Sequence, residues 1–231
     1  MRRAEMLSSA NPGVPDAWII RGDALGVAGQ TGEAARAYEM AANIRFDRNV
    51  ALRLGGALVR AGNGARARQV VQLFLTQNPD DVDARRLCAN VMLDMQDWRG
   101  ALRLLQAVWA QVGDNDAILM SDLARAALES GDRTRALAYA AHAYRLMPGN
   151  PMMADIYGWI LMRTGAAGPK AVDMLEKAVA MAPGIPLLQL HLGQAYAAAG
   201  RKGEAKLALG RAAAIQGFVG QKDAREALAR L

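Results

Sequence analysis

The side chains of this chain that suit catalysis or metal binding are few and far apart. The two histidines, His142 and His191, have no second histidine, cysteine pair or acidic residue at a metal-ligand spacing, so we expect satisfied or exposed histidines and no metal site. Cys88 is the single cysteine, and its packing position on an apolar helix predicts a buried thiol rather than a nucleophile. Since no nucleophile stands beside a base, we expect no catalysis and no cofactor.

A glycine-rich stretch and a group of arginines suggest phosphate chemistry. RAGNGARA, at 60–67, resembles a phosphate-binding loop, but it lacks the preceding strand and the Lys-Ser/Thr pair that such a loop needs, so it is predicted to be a turn between helices. The arginines of this region are Arg45, Arg48, Arg53, Arg60, Arg66 and Arg68. They suit a partner that carries some acid, and the net charge of +6 permits one, although Arg and Asp/Glu are mixed along most of the chain. Aromatic residues are not interleaved with them, so a nucleic-acid-binding role is the less favoured alternative.

An internal repeat determines the elements that position these side chains. A small residue recurs about every 34 residues. It occurs at Gly22, Gly55, Ala89, Ala124, Gly158 and Gly193. A turn residue follows at Gly29, Gly62, Gln96, Gly131, Gly165 and Gly200, and an alanine follows that at Ala34, Ala67, Ala101, Ala136, Ala171 and Ala205. The pattern predicts six helix-turn-helix units.

Each unit combines small and bulky residues in a way that favours close helix packing. Two antiparallel helices approach closely where one of them has glycine or alanine, and larger side chains then fill the remaining space. On the second helices the bulky residues are Tyr38, Val71, Leu105, Leu175 and Leu209. A proline at a unit boundary, as at Pro79 or Pro148, cannot continue a helix and so starts the next hairpin.

This pattern resembles the tetratricopeptide-repeat family, whose repeats carry Trp, Leu-Gly, Tyr, Ala, Phe, Ala and Pro at fixed positions. The first unit matches at Trp18, Gly22, Leu25, Ala34, Tyr38 and Ala41, and the last at Leu192, Gly193, Tyr196, Gly200, Ala205, Leu209 and Ala212. The resemblance implies an all-α fold, a right-handed solenoid of about six repeats followed by a capping helix. The stretch GAAGPKA, at 165–171, departs from it by one additional loop residue.

The predicted organisation has three parts. Residues 15–218 form the six repeats, and the amphipathic segment 219–231 is the helix that caps the last one. Residues 1–14 form either a half repeat of a longer array or a short N-terminal capping helix. Pro12 lies 34 residues before Phe46, and Ala4 and Leu7 fall where a second helix packs, which favours the half repeat.

The family resemblance also implies where a partner binds, because first helices line the concave side of such arrays. The family's groove positions correspond here to Ile19, Asp23, Leu52, Arg86, Asn90, Ser121, Arg125, Asp155, Trp159, Leu190 and Gln194. Arg53 and Arg60, of the second repeat, are added to this predicted groove. The alternative for each residue is a merely solvated helix face. This mixed surface suits an extended peptide or amphipathic helix carrying some acid.

One specific partner of the family is disfavoured. Chaperone-binding members hold a peptide's terminal carboxylate with cations and asparagines on adjacent repeats, and Arg86 and Asn90 match the first part of that clamp. Asp122 stands where the next asparagine is expected and would repel a carboxylate, while Met152 and Ile156 replace the expected cations. We therefore do not expect a chaperone tail to bind.

The function that these observations favour is a protein-binding scaffold or adaptor without a small-molecule substrate. The stretch PMMADIYGWILMRTG is also similar to repeats of bacterial proteins from exopolysaccharide and protein-sorting loci, which implies a role in envelope assembly. The periplasm is then favoured if the chain is a fragment, and the cytoplasm otherwise. No segment is apolar and long enough to insert into a membrane. The oligomeric state stays open, as does the alternative that the array is an appendage of a larger enzyme.

Overall fold

The computed structural model describes residues 2–165 and 168–231, and regular structure in this part of the chain is entirely α-helical. The helices are α1 (Arg2–Ala10), α2 (Pro15–Val27), α3 (Thr31–Ile44), α4 (Arg48–Arg60), α5 (Gly64–Gln77), α6 (Val82–Asp94), α7 (Trp98–Val112), α8 (Ala117–Glu129), α9 (Arg133–Leu146), α10 (Pro151–Thr164), α11 (Gly168–Met181), α12 (Pro186–Ala198), α13 (Lys202–Ala214) and α14 (Gln221–Ala229). The predicted additional loop residue of the stretch 165–171 involves positions 166 and 167, which lie outside the described residues.

The helices form two compact units. Unit 1 extends to Gln111, and unit 2 begins at Val112. In unit 1, α2 packs against α3 and α4 against α5; in unit 2 the packed pairs are α8 with α9, α10 with α11, and α12 with α13. Both units are therefore built from helical hairpins, as the repeat pattern predicts.

The turn inside each hairpin has one residue in the left-handed region. At five turns this residue is a glycine, with φ between 71° at Gly165 and 92° at Gly131. At the turn between α6 and α7 it is Gln96, with φ of 61°, as expected from its place in the repeat. At the five turns other than that of Gly165, the following backbone N–H donates to a carbonyl of the preceding helix and so closes the helix end, as in the bond of 2.8 Å from Asp97 N to Met92 O.

The predicted contact between small and bulky residues is confirmed at the four glycines of the first helices. A methyl group added at Gly22 would lie 2.5 Å from the Tyr38 ring, and one at Gly193 would lie 2.6 Å from Cγ of Leu209. Gly55 and Gly158 are equally close to Val71 and Leu175. Each bulky side chain thus occupies the space that the missing Cβ leaves on the paired helix.

The two chain ends are covered to different degrees. In α1, Ala4 and Ser8 are buried against the rest of unit 1, whereas Met6 and Leu7 remain 65% and 40% exposed. At the other end, Ala224 of α14 is completely buried and belongs to one core cluster with Leu209. Helix α14 therefore covers the face of the last hairpin.

None of the helices in the described ranges combines the length and the apolar character that crossing a membrane requires.

Candidate partner-binding surface

All the predicted groove residues lie on first helices of hairpins. In unit 1 they lie on α2, α4 and α6, and they are Ile19, Asp23, Leu52, Arg53, Arg60, Arg86 and Asn90. In unit 2 they lie on α8, α10 and α12, and they are Ser121, Arg125, Asp155, Trp159, Leu190 and Gln194.

Three of these residues have almost no surface left for a ligand, which corrects their assignment as groove residues that contact a partner. Asp155, 2% exposed, holds another residue in place instead, as described below. Ile19 is 6% exposed and belongs to the core cluster of unit 1. Leu190 is 5% exposed because the segment after α13 covers it, with Phe218 packed against it. Leu190 was misassigned because the family's groove positions assume that solvent reaches the outer face of every repeat, including the last one.

The arginine cluster of unit 1 is largely neutralised. Five of its six members form ion pairs with acidic residues of other elements, at nitrogen-to-oxygen distances of 2.6–3.6 Å. The pairs are Arg45 with Asp16, Arg48 with Asp81, Arg53 with Asp23, Arg66 with Glu39, and Arg68 with Asp97. Exposed pairs of this kind contribute little stability one by one, but they occupy the guanidinium groups. Arg60 is exposed in the last turn of α4, where the helix dipole favours a cation.

Asp23 and Arg53, both predicted to bind a partner, are held within unit 1. One carboxylate oxygen of Asp23 accepts a hydrogen bond from the Tyr38 hydroxyl at 2.6 Å and another from Arg53 at 2.8 Å. Burial and this hydrogen bond raise the pKa of Tyr38 to about 12. Of the other predicted groove residues in unit 1, Leu52 and Arg86 are partly buried, whereas Arg60 and Asn90 are exposed.

Unit 2 contains a buried acid next to a stacked pair of rings. Asp155, on α10, is only 2% exposed, and its carboxylate contacts Nδ1 of His191, on α12, at 2.8 Å. The ring of His191 stacks on the indole of Trp159, with centroids 4.1 Å apart and planes 17° apart. Because a buried carboxylate needs a partner, Asp155 fixes the histidine ring in this position.

Arginine and glutamate extend this arrangement towards α8. The guanidinium of Arg163 lies 5.5 Å from the Trp159 ring centroid and 3.4 Å from a carboxylate oxygen of Glu129. Helices α8 and α10 run in the same direction, and Glu129 of α8 contacts Arg163 of α10. Arg125 and Trp159 each come one helical turn before these two residues, so we expect them to lie at the same height along the two helices. We call Arg125, Asp155, Trp159, His191 and Gln194 the unit 2 platform.

Several polar atoms of the platform are open to a ligand. Trp159 is half-buried and the side chain of His191 is 14% exposed, and in the described chain neither Nε1 of Trp159 nor Nε2 of His191 makes a hydrogen bond. Arg125 is exposed, whereas Oε1 of Gln194 is buried without a hydrogen-bond partner. Ser121, one turn before Arg125, is half-buried.

The sequence interpretation missed His191 as a member of this site. It predicted a satisfied or exposed histidine and did not connect His191 to Asp155. The available signal was that His191 follows the groove position Leu190 directly, one repeat after Asp155, which places an acid and a base on adjacent first helices. Arg163 carries the same signal, since it lies one repeat after Glu129.

The remaining candidates for chemistry are structural. Cys88 is completely buried, and this burial raises the pKa of its thiol to about 11, so the protonated form dominates at neutral pH. Across the described ranges, no group of three or more His, Cys, Asp or Glu residues is arranged to hold a metal ion. His142 lies 3.9 Å from a carboxylate oxygen of Asp114.

Comparison with known proteins connects these features to a fold. Residues 89–151 match the family model described as tetratricopeptide repeat. A search of curated protein sequences found no significant match.

Solved structures match over most of the chain. The crystal structure of the APC/C hetero-tetramer Cut9-Hcn1 is 15% identical with a TM-score of 0.77, and the match covers 98% of this chain and 44% of that one. A thermophilic tetratricopeptide-repeat protein of Thermus thermophilus is 22% identical with a TM-score of 0.66, over 79% of this chain and 100% of that one. YrrB, described as a tetratricopeptide-repeat protein with an unusual peptide-binding site, is 19% identical with a TM-score of 0.58, over 85% and 100%.

These similarities confirm the predicted all-α tetratricopeptide-repeat fold and support the family resemblance. The chain spans less than half of the Cut9-Hcn1 chain that it matches. Among the similarities described, none confirms the finer resemblance to exopolysaccharide or protein-sorting loci.

Proposed function

We propose that the protein is a non-catalytic scaffold that binds a segment of a partner protein on the unit 2 platform. The observation that carries this proposal is the partly exposed, stacked pair of Trp159 and His191, held in place by the buried carboxylate of Asp155. Rigid aromatic side chains with an open polar atom are the kind of group that dominates binding energy at protein interfaces. Preorganisation by Asp155 reduces the entropy lost on binding.

The same platform is poorly suited to catalysis. An Asp–His pair can activate a nucleophile, but the hydrogen bonds described at His191 lead only to Asp155. The face of this ring stacks on Trp159, and in the described chain no hydroxyl or thiol is hydrogen-bonded to its Nε2. An enzyme to which the repeats are an appendage would still use the platform for binding.

Protein is favoured over nucleic acid as the partner because of the charges in unit 1. Phosphate binding requires cations that are not already paired, and five of the six arginines in the cluster contact acids. YrrB, which shares the fold, is described as having a peptide-binding site, and this supports a peptide as the ligand. Envelope assembly remains a proposal about the pathway; its test is whether a partner found in cells is an envelope protein.

The proposal can be tested with a displayed library of random short peptides. We expect the intact protein to select peptides, and the double variant Trp159→Ala/Arg125→Ala to lose them. Leu207→Ala is the matched control, since Leu207 is 67% exposed on the second helix α13 of the same unit. Its capture should equal that of the intact protein.

Thermal unfolding of the three proteins shows whether each is folded during the selection. Equal capture by the folded double variant would refute the assignment of the platform. Capture lost only in Leu207→Ala would place binding on the second helices instead.

A further inference from the structure

We infer that the partner segment presents an aspartate or glutamate side chain to Arg125, with the carboxylate also accepting a hydrogen bond from the indole N–H of Trp159. This inference rests on the proposed function, because it specifies the chemistry recognised at the same platform. Its basis is the distribution of paired and unpaired charges in unit 2.

Arg125 differs from the other cation next to the platform. Arg163 already contacts Glu129 at 3.4 Å and also lies over the Trp159 ring. Arg125 is exposed and forms no ion pair or hydrogen bond within the described part of the chain. Its five N–H donors are therefore available to a carboxylate, which guanidinium groups bind with two parallel hydrogen bonds.

Three acids lie near Arg125 and Trp159, and none of them pairs with this cation. Asp122, one turn before Arg125 on α8, is half-buried and already makes another interaction within the chain. Asp155 is buried and contacts His191, and Glu129 contacts Arg163. The platform thus has one exposed cation that lacks a counter-charge, next to an unused indole donor. An incoming carboxylate neutralises the first and satisfies the second, whereas an incoming ammonium or guanidinium group would be repelled by Arg125.

A side-chain carboxylate fits better than a chain end. Binding a terminal carboxylate uses several cations or amides around one point, whereas the platform offers a single unpaired guanidinium. An internal Asp or Glu needs only this contact, and the segment can then continue across His191 and Gln194 on α12.

The experiment uses peptides selected by the intact protein from the library above. We expect Asp or Glu to be enriched in them, and replacement of that residue by Asn or Gln to weaken binding about tenfold, as the loss of a charged hydrogen bond does. Arg125→Glu should lose the acidic peptides and select peptides with Lys or Arg instead. Arg225→Glu, an exposed arginine on α14, is the matched charge control and should keep the original selection.

The outcomes separate the inference from the proposed function. If peptides are selected without acidic residues, or if Arg125→Glu binds them unchanged, the inference is wrong while the proposed function stands. If binding is abolished by amidating the peptide terminus, the carboxylate is a chain end and the inference is also wrong. If the intact protein selects no peptide at all, the proposed function itself fails.

Discussion

The contact between Gly193 and Leu209 gives a quantitative test of the packing. A Cβ at Gly193 would lie 2.6 Å from Cγ of Leu209 and 3.0 Å from its backbone nitrogen, so the hairpin must shift to accept alanine. Such overpacking costs about 1–3 kcal/mol, while alanine gains up to about 1 kcal/mol in helix propensity. We expect Gly193→Ala to lower the free energy of unfolding by about 1–2 kcal/mol.

Gly210, on α13, is the matched control, because nothing lies within 4 Å of a Cβ added there. Gly210→Ala should stabilise the protein by about 0.5–1 kcal/mol, so the two alanine variants should differ in sign. Urea unfolding followed by far-ultraviolet circular dichroism measures both changes.

A double-mutant cycle connects the effect to its cause. Leu209 is completely buried, and Leu209→Ala alone should cost about 2–5 kcal/mol. With Leu209 shortened, alanine at Gly193 no longer meets Cγ, and only the 3.0 Å contact with the backbone nitrogen of residue 209 remains. The double variant should therefore be more stable than the sum of the single changes predicts, by about 1 kcal/mol. Additive costs, or a stabilising Gly193→Ala, would refute the packing argument.

Three further predictions concern single residues. Gln96→Gly should raise the stability by about 0.5–1 kcal/mol in urea unfolding, because glycine adopts the left-handed turn conformation without steric cost; a loss would contradict this. Cys88, with its pKa raised to about 11, should react with an aromatic disulfide reagent at pH 8 only after unfolding, and fast reaction of the folded protein would show that the thiol is accessible. The pKa of Tyr38 is about 12 in the folded protein and near 10 in the unfolded chain. The contribution of its protonated hydroxyl to the free energy of unfolding is therefore complete below pH 10 and is lost as the pH rises towards 12. Urea unfolding between pH 9 and pH 12 should show this additional loss in the intact protein but not in Tyr38→Phe; equal pH dependence would contradict it.

The fold was predictable because the repeat marks its own geometry. A glycine or alanine on each first helix and a turn residue seven positions later recur through the chain, so even Gln96 could be assigned its turn conformation. Packing partners such as Tyr38 for Gly22 followed from helical spacing alone.

The binding surface was less predictable because it depends on contacts between repeats. The pairing of Arg53 with Asp23 and of His191 with Asp155 joins residues 30 and 36 positions apart, which the pattern of a single repeat does not show. Such contacts changed the interpretation of the arginine cluster of unit 1, because five of its six members are paired with acids. Leu190 was misassigned for a related reason, because its cover comes from the segment after the last repeat.

Site-specific photo-crosslinking tests most directly whether the first helices of unit 2 bind the partner. A benzophenone amino acid can be placed at Ala198, exposed on α12 one turn after Gln194, or at Leu207, exposed on α13. With a selected acidic peptide, we predict a crosslink from position 198 and none from position 207. Crosslinking from 207 alone would contradict a platform formed by α8, α10 and α12.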